Sequence, residues 1–600
     1  MLAADRRRLA GQWQGRKPED DGGVDAGTGI GGKEQKGKVG VGDGKASCGW
    51  DRSRASRRDG DCEARSDGDR EPGLRRWQCG RRRWRRGVAR RWGMARGDEH
   101  ALMASHALIR NMAFSPCDFG LARRARSRSH VPPPPGAGDG RGGDGEVGGG
   151  FDLISRLPDA VLGDIISRLP TKEGGKTRAL SKRWRPVWRT APLNLDAGDL
   201  APDANGAALA VLVTQILLAH AGPVRRFCIP AQQIHERPAM VEGWLGSRRF
   251  KNLEELEFTV PEGPFYGRSF LLLPPPPSTF RFSATLRVAA ISQCSLPDCA
   301  ATLALRFPQL RLLSLQEVVI SEHSLHSIIA GCPALEGLLL KRSFGFRCLR
   351  INSPTIRSVA FHSPCCGDHC VWKVGYHLEE VIIEDAPCLE RLIHIERAMG
   401  LGVNVTVIAA PKLEACVLDD LDDGYYRLDF GKVVFKGFAV INYTTPVSSI
   451  KILALIRDNL RLDRVIELMR CFQCLEKLYI TASHYGATNC WRRKHWRKLK
   501  SLDICLKTLV LDNYRGLKSQ INFATFFIRN ATKLENMIFT GGRSNGNAYF
   551  IARQHKLLEF EKRASKTAHF HFTPKKCYYD WVHIKDVHDL SVADPFECTC

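Results

Sequence analysis

From about residue 250 onward one short apolar phrase keeps returning: Pro or Cys-Pro, then x-Leu-x-x-Leu-x-Leu. It reads Pro308-Gln309-Leu310-Arg311-Leu312-Leu313-Ser314-Leu315 in one place and Cys332-Pro333-Ala334-Leu335-Glu336-Gly337-Leu338-Leu339-Leu340 in the next. Related copies begin at Leu253, Ile356, Leu389, Leu413, Leu475 and Leu534, with weaker ones at Leu286 and Leu378. The leading positions 286, 310, 335, 356 and 378 are 24, 25, 21 and 22 residues apart. A phrase this short has no core of its own, so the copies before and after it must bury its apolar side. The chain is therefore constrained to a stack.

One unit shows how the stack is built. Ser321 can cap a helix whose apolar face is Leu325, Ile328 and Ile329; Gly331 closes it and Pro333 prevents its continuation. Leu335, Leu338 and Leu340 then point inward from a short strand. The steps fall in the leucine-rich-repeat range of about 20–29 residues. They are ragged, with a proline-rich insertion at Pro274–Pro277 and a poorly patterned stretch near 419–450, so an irregular α/β solenoid is expected.

Six hundred residues exceed one ordinary core. The net charge is +25, and residues 1–150 hold 31 Lys and Arg against 20 Asp and Glu. That segment has 26 Arg and 5 Lys, no apolar period, and a Pro-Gly ending (Pro132–Pro135, then Gly136 to Gly150). Such a composition cannot bury enough surface to offset chain entropy, so a disordered basic arm is expected there. Met94, Met103 and Met112 offer alternative starts within it. The first residues lack the apolar stretch of a secretory signal, so the 21 Cys are expected to be reduced thiols in the cytoplasm or nucleus. The longest apolar run, Ala207 to Ala221, is too short for a membrane span and is expected to be a buried helix.

Residues 153–195 form a different kind of unit. Leu157, Val161, Leu162, Ile165, Ile166 and Leu169 make one helical stripe. Pro158 suits the first turn and Pro170 stops the helix. Thr171 can cap a second helix carrying Ala179, Leu180 and Trp184, and Pro186 opens a third with Val187 and Trp188. A unit this small buries little alone, so a partner helix is expected to complete its stripe.

In order and spacing, Leu157-Pro158, Leu162, Ile165-Ile166, Leu169-Pro170, Leu180-Ser181-Lys182-Arg183-Trp184 and Trp188 resemble the F-box of plant proteins. The departure is Gly174-Gly175, two poor helix formers in the second helix. Leu506–Leu511, Asn513-Tyr514-Arg515-Gly516, Asn522-Phe523-Ala524 and Leu534-Glu535 resemble the FBD region that closes many such chains. The implied order is a disordered arm (1–150), F-box (151–196), helical linker or first repeat (197–249), leucine-rich repeats (250–500), FBD-like region (501–545) and C-terminal extension (546–600). The resemblance implies a substrate-recognition subunit of a cullin–RING ubiquitin ligase. Its F-box would bind a Skp-type adaptor through Leu157, Pro158, Leu162, Ile165, Ile166, Leu169, Pro170, Leu180, Trp184 and Trp188, and its repeats would bind an unknown protein target. No cofactor is implied.

Other motifs are weaker. Cys365-Cys366-Gly367-Asp368-His369-Cys370 and Cys471-x-x-Cys474 hold zinc-type ligands, but neither has a second pair at finger spacing. Buried thiols are the expectation for both, and no metal site. Asp419-Asp420 and Asp422-Asp423 lack the Gly and Glu of a calcium loop. No phosphate loop, nucleophile elbow or His-Glu-x-x-His helix is present, so no catalytic residue is expected. The cluster Arg81–Arg86, with Trp77 and Trp92, carries the alternative function: nucleic-acid binding by the basic arm. The cluster Trp491–Lys498 is expected to be a solvated face.

Overall fold

The computed structural model describes residues 154–200, 206–260, 272–362, 377–395, 402–419, 426–458, 461–482, 503–574 and 582–597, all within the compact unit Arg75–Cys600. The basic arm, the Cys365–Cys370 run, Asp420 to Asp423 and the Trp491–Lys498 cluster lie outside these residues.

Among the described residues fourteen strands make one sheet, from Leu193–Asp196 at one end to His569–Pro574 at the other, and neighbours in it are parallel throughout. The leading apolar residue of each phrase is buried two positions before its strand. Leu253 precedes Glu255–Thr259, Leu310 precedes Leu312–Gln316, Leu335 precedes Gly337–Lys341 and Leu475 precedes Lys477–Ala482. Within a strand the side chains alternate between faces. Leu338 and Leu340 join the long core that runs the length of the sheet, while Leu339 belongs to a second apolar cluster.

The expected unit is present. Ser321 caps Glu322–Ala330, its hydroxyl accepting from the Ser324 amide at 3.1 Å, and Leu325, Ile328 and Ile329 are buried. Gly331 closes the helix, although its φ is −76°. A Cβ there would meet the Leu305 carbonyl oxygen at 2.6 Å, so close approach rather than left-handed backbone calls for glycine. The apolar run near 207 is the helix Gly206–Ala219, buried along Leu209 to Thr214 and at Leu217.

Raggedness has a structural cause. Over the middle of the chain the return leg is a strand instead of a helix. Cys348–Asn352, Glu380–Asp385, Asn404–Val407 and Arg427–Asp429 pair in parallel; Val433–Lys436 adds antiparallel to Arg427–Asp429, and Ala439–Tyr443 antiparallel to Val433–Lys436, completing a second, six-stranded sheet. Runs such as Val381-Ile382-Ile383 and Val433-Val434-Phe435 favour strand, and Val381, Ile383, Val433 and Phe435 enter the same core. This corrects one repeat: Leu378 leads the return strand Glu380–Asp385, while the main sheet passes directly from Ser358–His362 to Arg391–Ile395.

A column of charges marks the strand entrances. The residue after each leading position pairs with its neighbour: Arg311–Glu336 at 3.3 Å, Arg357–Glu390 at 2.7 Å, Lys451–Glu414 at 2.6 Å and Lys507–Glu476 at 2.9 Å. Each exposed pair contributes only about 0–1 kcal/mol, so the column tunes register more than it holds the stack.

Candidate functional site

The docking unit is built on three short helices: α1 (Asp159–Ile166), α2 (Thr171–Lys176) and α3 (Trp184–Thr190). Leu162 and Ile166 of α1 meet Trp184, Val187 and Trp188 of α3 and Ala191 in a small separate core, with Leu157 packed against it. Arg183 fastens the two helix starts, donating to Asp159 Oδ1 at 2.7 Å and to the Leu157 carbonyl at 2.5 Å.

Two details differ from the sequence reading. Thr171 is the first residue of α2 rather than its cap. Its hydroxyl donates to the Asn194 carbonyl and accepts from the Asp196 amide at 2.9 Å, which commits it to the first strand of the sheet. Nor does α2 reach Trp184: it tightens into a 3-10 turn at Thr177–Ala179, and Trp184 itself opens α3, with Pro186 in the first turn where its missing N–H costs nothing. The two glycines of α2 are helical all the same. Gly174 faces the core, where a Cβ would lie 3.5 Å from Trp188 Nε1, and Gly175 faces open space.

The ten candidate docking residues divide by position. Leu162, Ile166, Trp184 and Trp188 are buried inside the unit, and Leu157 and Leu169 are half-buried. Pro158, Ile165, Pro170 and Leu180 are exposed. Ile165 keeps 41% of its surface in solvent and Leu180 56%, and they are joined by Val161 at 42% and Ile154 at 58%. Large apolar side chains left this open on one small unit make an unfinished surface. Lys172, Arg178, Lys182, Arg183 and Arg185 are also exposed on the unit. Partial burial, and then the charges of Arg185 and Arg189, lower the Arg178 pKa, while its guanidinium lies 5.0 Å from the centre of the Trp188 ring.

The unit is welded to the sheet. Besides the Thr171 contacts, Arg225 donates to Asn194 Oδ1 at 3.1 Å and to the Ser167 carbonyl at 3.0 Å. His220 stands edge-on to Trp188 and reaches the Ala191 carbonyl at 2.8 Å, and burial lowers its pKa.

Cys471 is buried at the end of Leu462–Cys471, and burial pushes its thiol up to about 12. Cys474 is exposed in the following turn, which corrects the expectation that both thiols are buried. Among the described residues one group approaches ligand geometry: Glu255, Glu257 and His588. Arg226 already sits among these carboxylates, 2.9 Å from Glu257, 3.5 Å from Glu255 and 3.4 Å from Asp196, so the group forms an ion-pair cluster. No helix among the described residues is long and apolar enough to cross a membrane.

Family comparisons agree with this geometry. Residues 154–196 match the family model described as F-box domain, 241–480 match FBD-associated F-box protein At5g56370, LRR repeats, and 499–539 match FBD. The chain is 25% identical over 399 residues to the Arabidopsis thaliana F-box/FBD/LRR-repeat protein At3g52680, covering 62% of this chain and 84% of that one. It is 31% identical to the F-box/FBD/LRR-repeat protein At4g00160 of the same plant, covering 49% and 58%, and 27% identical to the F-box/LRR-repeat protein At3g03360, covering 51% and 61%. The chain thus spans less than two thirds of the latter two relatives. The F-box match ends with the last residue of the first strand, and the FBD match covers the strands Thr508–Asp512 and, nearly to its end, Asn536–Gly541 of the same sheet. With matches to an F-box, leucine-rich repeats and an FBD in that order along one chain, the protein is similar to the plant F-box/FBD/LRR-repeat proteins over these three regions.

Proposed function

We propose that the chain is the substrate-recognition subunit of a Skp–cullin–RING ubiquitin ligase, with no bond-making residues of its own. The observation that carries this reading is that Val161, Ile165 and Leu180 are left open on a unit whose inner side has its own packed core. Pro158, Leu157, Leu169 and Pro170 stand at the two ends of α1, and Leu162, Ile166, Trp184 and Trp188 hold the unit's shape from inside. The basic residues around it suit an acidic adaptor surface and would speed encounter more than they add affinity. The repeats then hold a target near the conjugating enzyme, and the rate gain is one of proximity. An adaptor of this kind would place the protein in the nucleus, the cytoplasm or both.

The test is the pair Ile165→Asp with Leu180→Asp. Both side chains are exposed, so folding should be unchanged while adaptor affinity falls about 100-fold or more, roughly 3 kcal/mol. Undiminished adaptor binding by the double variant would refute the assignment.

A further inference from the structure

The second face of the long sheet is not empty. Leu339, Ala360, Ile393, Val417, Ala454 and Tyr479 point away from the main core, each from a different strand, and they are buried. What covers them is the chain's own C-terminal segment, residues 582–597, through Val582, Ile584, Val587, Leu590 and Phe596. The segment closes on itself, the His583 amide donating to the Pro595 carbonyl at 2.8 Å. It meets the sheet through side chains. Lys341 Nζ donates to the Lys585 carbonyl at 3.2 Å and Ser358 Oγ to the Leu590 carbonyl at 2.8 Å. At the far end Asp594, itself buried, accepts from Lys477 Nζ at 2.8 Å and from the Tyr479 hydroxyl at 2.9 Å, beside the Phe596 ring.

Two features set this segment apart from the strands it covers. Each inner strand is held by ladders on both sides, whereas the segment lies across them. Removing it would break no ladder, yet it would expose a long apolar face with a lysine and a tyrosine hydroxyl ready for a carboxylate. A face of that size, rimmed by polar groups, is an interaction surface. We propose that residues 582–597 are a self-ligand, occupying the sheet face on which a target segment of the same chemistry binds: branched and aromatic apolar side chains with one carboxylate for Lys477 and Tyr479. The proposal takes from the preceding reading only that the repeats hold a target. Binding then requires displacement, and the tail sets a threshold that a target segment must exceed.

The experiment uses the full chain and a labelled synthetic peptide of residues 582–597. In the chain carrying Leu590→Asp and Phe596→Asp the tail is released, and the peptide should bind at least ten-fold more tightly than to the unmodified chain. Placing Lys at the Asp594 position of the peptide should cost ten-fold or more. A second peptide, with Val582, Ile584, Val587 and Leu590 exchanged among themselves, should bind within about three-fold, because chemistry rather than identity is read. Equal binding to both chains, absence of saturable binding to the released chain, or binding restricted to the native order would each overturn the proposal. If the double variant does not fold, hydrogen exchange on the Asp594→Asn chain decides. Amides of 582–597 should exchange at least ten-fold faster while those of Gly337–Lys341 and Ser358–His362 are unchanged; a shared rate for tail and strands overturns it. The F-box pair Ile165→Asp and Leu180→Asp serves as the control, since loss of adaptor binding leaves the peptide result untouched and the reverse also holds.

Discussion

Among the described residues two apolar regions outside the main core are treated in opposite ways. On the F-box, Ile154, Val161, Ile165 and Leu180 stay open to water. On the sheet, a longer apolar face is roofed by the chain's own tail. Area explains the difference. A few open side chains on a small unit are tolerable in solution, whereas an apolar face crossing many strands invites aggregation. Under the proposed function the first surface waits for a partner, and under the self-ligand proposal the second is satisfied until a target segment competes for it.

The largest effect should come from removing the floor under the open stripe. Leu162→Ala deletes a fully buried side chain and should cost the F-box about 2–5 kcal/mol, seen as proteolysis within 154–200 while the repeats keep their melting transition. If the repeats melt with it, the two regions are not separable. Next is the roof: Leu590→Ala should cost a comparable but local amount, about 2–4 kcal/mol, appearing as faster exchange of 582–597 with little change in the sheet.

A smaller effect should follow pH. His588 Nε2 lies 3.2 Å from Glu257 Oε1, with Glu255, Arg226, Asp196 and Asp586 around the pair. The hydrogen bond to Glu257 raises the His588 pKa above 6.5, against its burial. Burial alone would raise Glu257, but the His588 hydrogen bond and the Arg226 charge hold it below 4.5. A raised histidine contributes fully below its ordinary value and stops contributing as pH rises through the folded one; a lowered carboxyl contributes above its ordinary value and stops as pH falls. The tail should thus be firmest in weak acid and looser at pH 8. His588→Gln should abolish that difference in exchange, corrected for the intrinsic rate.

The smallest change tests the F-box alone. Nothing lies within 4 Å of a Cβ at Gly175, so Gly175→Ala should stabilise the unit by about 0.5–1 kcal/mol, read as a small rise in its resistance to proteolysis. Loss of stability would mean that α2 needs the glycine for a reason other than space.

The stack and the docking unit were legible because both are written in spacing. Leading leucines mark strand entrances, and the α1 stripe and its prolines mark the F-box. Spacing alone did not reveal which stripe residues turn outward: Leu162 and Ile165 differ by three positions, and only the seat of α3 decides that one is floor and the other surface. The roofed face had a signal that the leucine phrase conceals. Leu338-Leu339-Leu340, Cys416-Val417-Leu418 and Ile452 through Ile456 are apolar at both parities, the pattern of strands buried on both sides. Counting only the alternate leucines passes over it. The exchange of helix for strand on the return leg was hidden similarly, since Leu378 fits the repeat count while belonging to the other sheet. The tail's role was not legible at all, because the residues that meet it are far away in the chain.

The weld at Thr171, Asn194 and Arg225 has a consequence for reach. Because these hydrogen bonds tie the docking end directly to the first strand, the proposed function makes the distance from the ligase depend on the number of strands. Fourteen of them at about 4.8 Å per step give a contour of roughly 60 Å. Under the proposed function, the protein is then a gauge as much as a grip: adding or losing one repeat would move a held lysine by a single rung relative to the incoming ubiquitin.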